Sequence, residues 1–254
     1  NARLIEESLV KAQMEKELIM AQQIQMNFLP RGDPVFEPYD ISGSMRACHH
    51  VGGDYFDFIP MSPSELGVVV ADVSGHGVSA GLLMTSLRSS LHALIPTTRD
   101  LALLAAKLND SVYADSDSHT FISFFLGVLC RDRREMNYIN AGHNPPLLVE
   151  PGGGVRSLDS RGFCLGMFKN AGYETDTVEI KPGEILCLFT DGIVESRNTE
   201  KEEFGDDRLI EQIRECAALP ARDMVATIYE NVSRFTSCAE PSDDLTLVIV
   251  KRSY

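Results

Sequence analysis

Leu66-Gly67-Val68-Val69-Val70-Ala71-Asp72-Val73-Ser74-Gly75-His76-Gly77 is the stretch on which the reading of this chain turns. Its apolar run, rich in β-branched valine, reads as a buried strand. An aspartate then ends the run, although Asp is poor strand material. The glycines that follow let the backbone bend tightly into a helix and let a carbonyl point at an ion. Strand, acid, glycine turn and helix in that order hold a carboxylate at a sheet edge. A phosphate-cradling glycine loop is the competing reading, but no Gly-Lys-Ser/Thr follows, so the Walker pattern fails.

Three further acidic motifs border apolar stretches: Gly52-Gly53-Asp54-Tyr55, Thr190-Asp191-Gly192 and Ser242-Asp243-Asp244-Leu245-Thr246. Each alone has an ordinary reading as a turn or solvated acid. Together they place acids at strand ends across about 190 residues, so the fold rather than local sequence would gather them. Gathered carboxylates repel unless something positive lies between them, and hard cations such as Mg²⁺ or Mn²⁺ select all-oxygen donors. That chemistry points to a metal-dependent hydrolase. On a strand, Asp54 faces opposite to Asp57, so only one of the two lines a given site.

Outward from the motifs, strands are predicted over 40–47, 54–59 and 66–71, then helices over 78–94 and 100–114. Strands follow over 121–130, 135–140, 146–150, 155–158, 174–180 and 184–190, then helices over 206–217 and 221–235 and a last strand over 245–251. Short turns such as Glu150-Pro151-Gly152-Gly153-Gly154 and Lys181-Pro182-Gly183-Glu184 imply antiparallel pairing. Strands interrupted twice by helix pairs imply an α+β fold of two stacked antiparallel sheets, each covered by one pair. Ahead of this, residues 3–29 read as one long helix without Gly or Pro until Pro30, and Arg31–Pro38 as a linker. Residues 1–30 are thus a linker segment and 31–254 the main domain. The helix carries two apolar stripes, one with Leu4, Val10, Met14 and Leu18 and another with Leu9, Ala12, Ile19 and Met20. Two stripes call for two partners: the helix's own domain, and a second helix in a coiled-coil homodimer. The chain begins at Asn1 directly in a helical pattern, which reads as the C-terminal part of a longer protein.

Composition narrows the classes further. A net charge of −14 disfavours nucleic acid as a partner, since phosphate binding needs basic surface. The longest apolar run has ten residues, Phe121 to Cys130, too short for a membrane span. Six cysteines without a C-x-x-C pair argue against structural zinc, with Cys130 and Cys187 read as buried apolar residues, and a reducing cytoplasm is the default compartment. His49, His50 and His92 read as surface or packing residues, and His143 as a structural hydrogen-bonding group. His76 is left open between proton transfer or substrate contact and neither. Gly52-Gly53-Asp54-Tyr55-Phe56 resembles the signature of diguanylate cyclases, but Tyr55 stands where that signature requires an acid.

The assembled motifs VGGDYFDF (51–58), ADVSGHGVSAGLLM (71–84), NAGHNPPLL (140–148), LFTDGIVESRN (188–198) and DDLTLVIV (243–250) are similar to those of bacterial stage II sporulation E-type serine phosphatases. These belong to the metal-dependent, protein phosphatase 2C-like superfamily, and the resemblance covers residues 22–252. It implies an α/β/β/α sandwich and hydrolysis of phosphoserine or phosphothreonine on a protein with two Mn²⁺ or Mg²⁺ ions. It implies that Asp72 bridges the ions and that the Val73 carbonyl completes one of them. Asp54 would serve the first ion, directly or through water, and Asp191 with Asp243 the second. Of the adjacent pair, Asp243 is favoured over Asp244. In the 2C branch a histidine follows the bridging acid by two residues, whereas His76 lies four on, so water is the implied proton donor. The implied substrate is a STAS-type anti-sigma-factor antagonist, and the implied upstream neighbour a sensor or receiver domain. A regulatory binding module without catalysis is the alternative.

Overall fold

A computed structural model of the chain describes residues 2–117, 119–159, 161–239 and 241–253. Asn1, at the start of the linker segment, and Tyr254, at the end of the main domain, lie outside them. Helix α1 spans Ala2–Met26, and its last turn opens at Asn27 and Phe28, three residues before the predicted end. Strands β1 (Tyr39–Arg46), β2 (Tyr55–Ser62) and β3 (Glu65–Val73) lead into α2 (Val78–Leu94) and α3 (Leu101–Asp115). Asp100 caps α3 by accepting from the Leu103 amide at 3.0 Å. Strands β4 (Ile122–Cys130), β5 (Glu135–Ala141), β6 (Leu147–Val149), β7 (Val155–Ser157), β8 (Asp176–Glu179) and β9 (Ile185–Phe189) follow. A single turn, α4 (Asp191–Val194), which the sequence pattern does not announce, precedes α5 (Gly205–Glu215), α6 (Ala221–Phe235) and β10 (Leu245–Arg252).

The strands form two antiparallel five-stranded sheets, ordered β1-β10-β9-β6-β7 and β2-β3-β4-β5-β8. Helices α2 and α3 cover the second sheet, and α5 and α6 the first, which gives the expected four layers. Alternation along β10 shows how the layers close. Val248 and Val250 enter the core between the sheets, while Leu247 and Ile249 pack beneath α6. Strands with both faces buried read as unbroken apolar runs, and β9 (Ile185-Leu186-Cys187-Leu188-Phe189) is one. Cys187 is buried as expected, whereas Cys130, at the end of β4, is only half-buried; all six cysteines are free thiols. Among the described residues no helix is long and apolar enough to cross a membrane.

The linker helix departs from one expectation. Neither apolar stripe lies along the domain over the first half of α1, where Leu4, Leu9, Val10 and Met14 are exposed, and Ile19 and Met20 beyond it are exposed too. Contact begins near Leu18 and tightens only at Gln25 and Leu29, which are buried. The cause is geometric: a straight helix of 25 residues is roughly 37 Å long and meets a rounded domain along only part of its length.

Candidate active site

All four acidic motifs meet where the two sheets end side by side. Asp54 directly precedes β2, and Asp72 is the penultimate residue of β3, both in one sheet. Asp191 opens α4 just beyond β9, and Asp243-Asp244 lead into β10, both in the other sheet. Each sheet therefore supplies two of the four motifs.

Asp54 is 1% exposed, and its Oδ2 accepts from Thr190 Oγ1 at 2.7 Å and Thr246 Oγ1 at 2.6 Å. Burial is the main cause of its carboxyl being held well above the usual range, with the Asp72 charge next. Asp72 is pushed up to about 7, again chiefly by burial and then by Asp191, Asp243 and Asp244. Asp191 is raised by burial and by Asp243. No ion pair joins any of these acids to a basic side chain among the described residues. Carboxylates sheltered together without a cation are costly, and the cost is removed either by protonation or by a bound cation.

Asp243 and Asp244 have different surroundings. Asp243 is exposed, whereas Asp244 is buried and already committed to backbone amides. Its Oδ1 accepts from Cys48 N at 2.9 Å, and its Oδ2 from Gly53 N at 2.8 Å and Asp54 N at 3.4 Å. It thereby ties the start of β10 to the loop before β2. A Cβ at Gly52 would run into the Asp244 carboxylate, which explains the glycine. A Cβ at Gly53 would stand 2.9 Å from the Val73 carbonyl oxygen, so both glycines of this loop keep the site compact.

Among the described residues, the one set of three acid, histidine or cysteine ligand atoms within 4.8 Å of one another is Cys48, Asp243 and Asp244. Asp54, Asp72 and Asp191 share the same space and act on one another's charge and on that of Asp243. Burial, and then Asp244, pushes the Cys48 thiol up to about 12, so it is a neutral thiol beside an oxygen-donor site. The donors beside it are carboxylate oxygens, the type that fits a hard divalent cation. A cleft of about 350 Å³ opens beside Asp243, between Gly192, Glu195, Arg197 and Pro241.

Supporting residues surround the acids. Gly75 and Gly77, at φ of 94° and 78°, make the turn after Asp72. Ser123 lies opposite Asp72 in the sheet and bonds His143 Nδ1 at 2.8 Å. His143 is 2% exposed, and burial lowers it to about 4, so it is neutral. His76 is exposed and makes an edge contact with His49 at 5.6 Å. Asp57 faces away from Asp54, as the strand period requires, and binds Tyr55 Oη at 2.6 Å and His92 Nε2 at 2.7 Å.

Three contributors escape the sequence reading. Thr190 and Thr246 stand inside the quoted motifs, and their signal is a hydroxyl in an otherwise apolar buried strand. Gln25 lies within the stretch the family resemblance covers, but nothing in its own residue type assigns it a role. From α1 its amide pairs reciprocally with Gly52: Nε2 donates to Gly52 O at 2.6 Å, and Gly52 N donates to Oε1 at 3.0 Å. The linker helix thus ends one residue from the loop that carries Gly53 and Asp54.

Comparison with known proteins places the chain in a family. The family model described as Stage II sporulation protein E matches residues 62–253. Protein IcfG of Synechocystis sp. is 29% identical over 93% of this chain, which spans 42% of IcfG. Phosphoserine phosphatase RsbU of Bacillus subtilis is 26% identical over 96% of the chain and 72% of RsbU. The SiaA-PP2C domain of Pseudomonas aeruginosa superposes with a TM-score of 0.83 at 20% identity, covering 95% of this chain and 98% of that domain, a likeness of fold. A match over most of the chain makes this protein a member of the stage II sporulation protein E family.

Proposed function

We propose that residues 31–254 form a metal-dependent protein serine/threonine phosphatase acting on a phosphoserine of a regulatory protein in the cytoplasm. The observation that carries this reading is the convergence of Asp54, Asp72, Asp191 and Asp243 with no ion pair to a basic side chain among the described residues. The similarity to RsbU, whose name describes a phosphoserine phosphatase, supports the substrate class. A STAS-type anti-sigma-factor antagonist is the first substrate to try.

In this proposal Asp72, Asp191 and Asp243 hold two Mn²⁺ or Mg²⁺ ions, with the Val73 carbonyl and Asp54 on the Asp72 side. When bound, such ions supply a water of lowered pKa and neutralise charge on the phosphoryl oxygens. The chain's own groups do the rest. Thr190 and Thr246 fix the Asp54 carboxylate by donating to it, and Asp244 fixes the loop before β2. The cleft beside Asp243 admits a phosphorylated side chain. Neither His143, buried and neutral, nor His76, four residues from Asp72, is assigned the leaving-group proton, which comes from water.

The exposed apolar stripes of α1 support a homodimer through this helix, with an upstream sensor or receiver domain acting through it. The test of function is phosphate release from a serine-phosphorylated STAS-domain protein, with and without Mn²⁺ or Mg²⁺. Asp72→Asn and Asp191→Asn are each expected to reduce it at least about 100-fold. Retained activity in both would overturn the reading, and binding without turnover by the unaltered chain would assign a regulatory binding module instead.

A further inference from the structure

Arg46 ends β1 and pairs across the sheet with Leu245, two residues beyond Asp243. Two residues of chain span at most roughly 7 Å, so Arg46 is a near neighbour of that acid on the surface. Its side chain is exposed, and the guanidinium lies over the Tyr229 ring of α6 at 4.3 Å. Tyr229 is 2% exposed, and its hydroxyl sits 2.8 Å from both Ser44 O and Leu245 O. The ring is therefore a fixed platform. Stacking on it sets where the guanidinium stands and leaves the N–H edge free. Arg46 makes no ion pair and no side-chain hydrogen bond among the described residues.

A cavity of about 260 Å³ opens beside this stacked pair, lined by Arg46, Tyr229 and Val232. It shares Ser196, Thr236, Ala239 and Pro241 with the cleft of about 350 Å³ beside Asp243. The two therefore adjoin, and they do so at the surface, where Ala239, Pro241 and Asp243 are all exposed. Their ends differ in charge: Glu195 and Asp243 line one, and Arg46 lines the other. Arg197, the other arginine of the two cavities, is engaged by Glu203 at 2.7 Å. On a chain of net charge −14, Arg46 is thus an unpaired cation at the far end of an opening that starts at the candidate site.

We propose that this groove takes the substrate chain next to the phosphoserine, and that Arg46 binds an acidic side chain there, about two residues from the phosphorylated one. This rests on the phosphatase reading and deepens it, because it names a feature of the sequence that is dephosphorylated. Two observations favour that occupant. The groove is continuous with the cleft beside Asp243 along exposed residues. Its far end also presents a planar guanidinium with free N–H groups, the fork that matches a carboxylate. No acid of this chain fills the place: Asp243 is a near neighbour of Arg46, yet the two form no ion pair.

The test uses a serine-phosphorylated STAS-domain protein in versions that carry Glu, Gln or Lys two residues before and after the phosphoserine. The small ester p-nitrophenyl phosphate, which has no flanking residue, is the control substrate. With Mn²⁺ present, the unaltered chain is expected to show a KM about fivefold lower on the Glu version than on the Lys version. Arg46→Gln should erase that difference and Arg46→Glu should reverse it, with turnover of the small ester within about twofold in both. Equal KM on the Glu and Lys versions, or a preference that survives Arg46→Gln, overturns the proposal and leaves the phosphatase reading intact. A loss in Arg46→Gln as large on the small ester as on the protein also overturns it, and assigns Arg46 to the phosphoryl group or to the fold. An unaltered chain that hydrolyses the small ester but no phosphoprotein overturns the protein-phosphatase reading itself.

Discussion

Asp72 carries the clearest consequence at the scale of a single residue. Its carboxyl is raised from 3.8 to about 7 in the ion-free fold. A raised acid contributes its full stability at low pH and loses it as the pH climbs through the folded-state value. Ion-free protein is therefore expected to lose stability between about pH 4 and 7, read as a falling denaturation midpoint. Asp72→Asn should remove the repulsion and stabilise ion-free protein at pH 8 by about 1–3 kcal/mol, raising Tm by several degrees while activity disappears. Thr246→Val should act in the opposite direction on Asp54. The buried carboxylate loses a 2.6 Å donor, costing about 1–3 kcal/mol in urea melts and weakening activation by Mn²⁺. The acids were legible in the sequence because an aspartate at the mouth of an apolar run is anomalous. Thr190 and Thr246 were not, because threonine is at home in a strand and nothing in its own sequence shows where the hydroxyl points.

Among the elements, α1 and the loop before β2 form the pair most open to experiment. Gln25→Ala would leave the Gly52 N–H and C=O without the partners they now have in a buried setting. The expected cost is about 1–3 kcal/mol, with slower turnover, since that loop carries Gly53 and Asp54. Hydrogen exchange at the Gly52 amide checks the first point and phosphatase assays the second. Most element boundaries could be read from periodicity and turn chemistry, and α2 falls on the predicted 78–94. The end of α1 could not. Pro30 marks the last residue at which a helix can continue, but docking of Phe28 and Leu29 onto the domain unwinds it earlier. Arg88 of α2 holds that turn by donating to Phe28 O at 2.8 Å, a contact 60 residues away in sequence and invisible to local pattern.

Across the whole molecule, ion binding and folding are expected to be linked. If each ion binds only the folded chain, Mg²⁺ at one hundred times its dissociation constant adds about 2.7 kcal/mol per site. A calorimetric Tm that does not respond to Mg²⁺ or Mn²⁺ would count against the site. The layered architecture was readable from the order of strands and helix pairs, because each sheet needs a cover on its outer face. Which strands share a sheet was not: β10 lies between β1 and β9, and β2 departs from β1 into the other sheet, although the two are consecutive in sequence. This division has a consequence for the site. Asp54 and Asp72 belong to one sheet and Asp191 and Asp243 to the other, and Thr190, Thr246 and Asp244 of the latter bond across to Asp54 and its loop, so the distances among the acids reflect the alignment of the two halves. One residue along a strand is about 3.3 Å. A slip of a fraction of that length between the halves would change the spacing of every cross-sheet acid pair at once. The spacing of the acids is thus set by how the sheets align, with no acid altered and no segment unfolded.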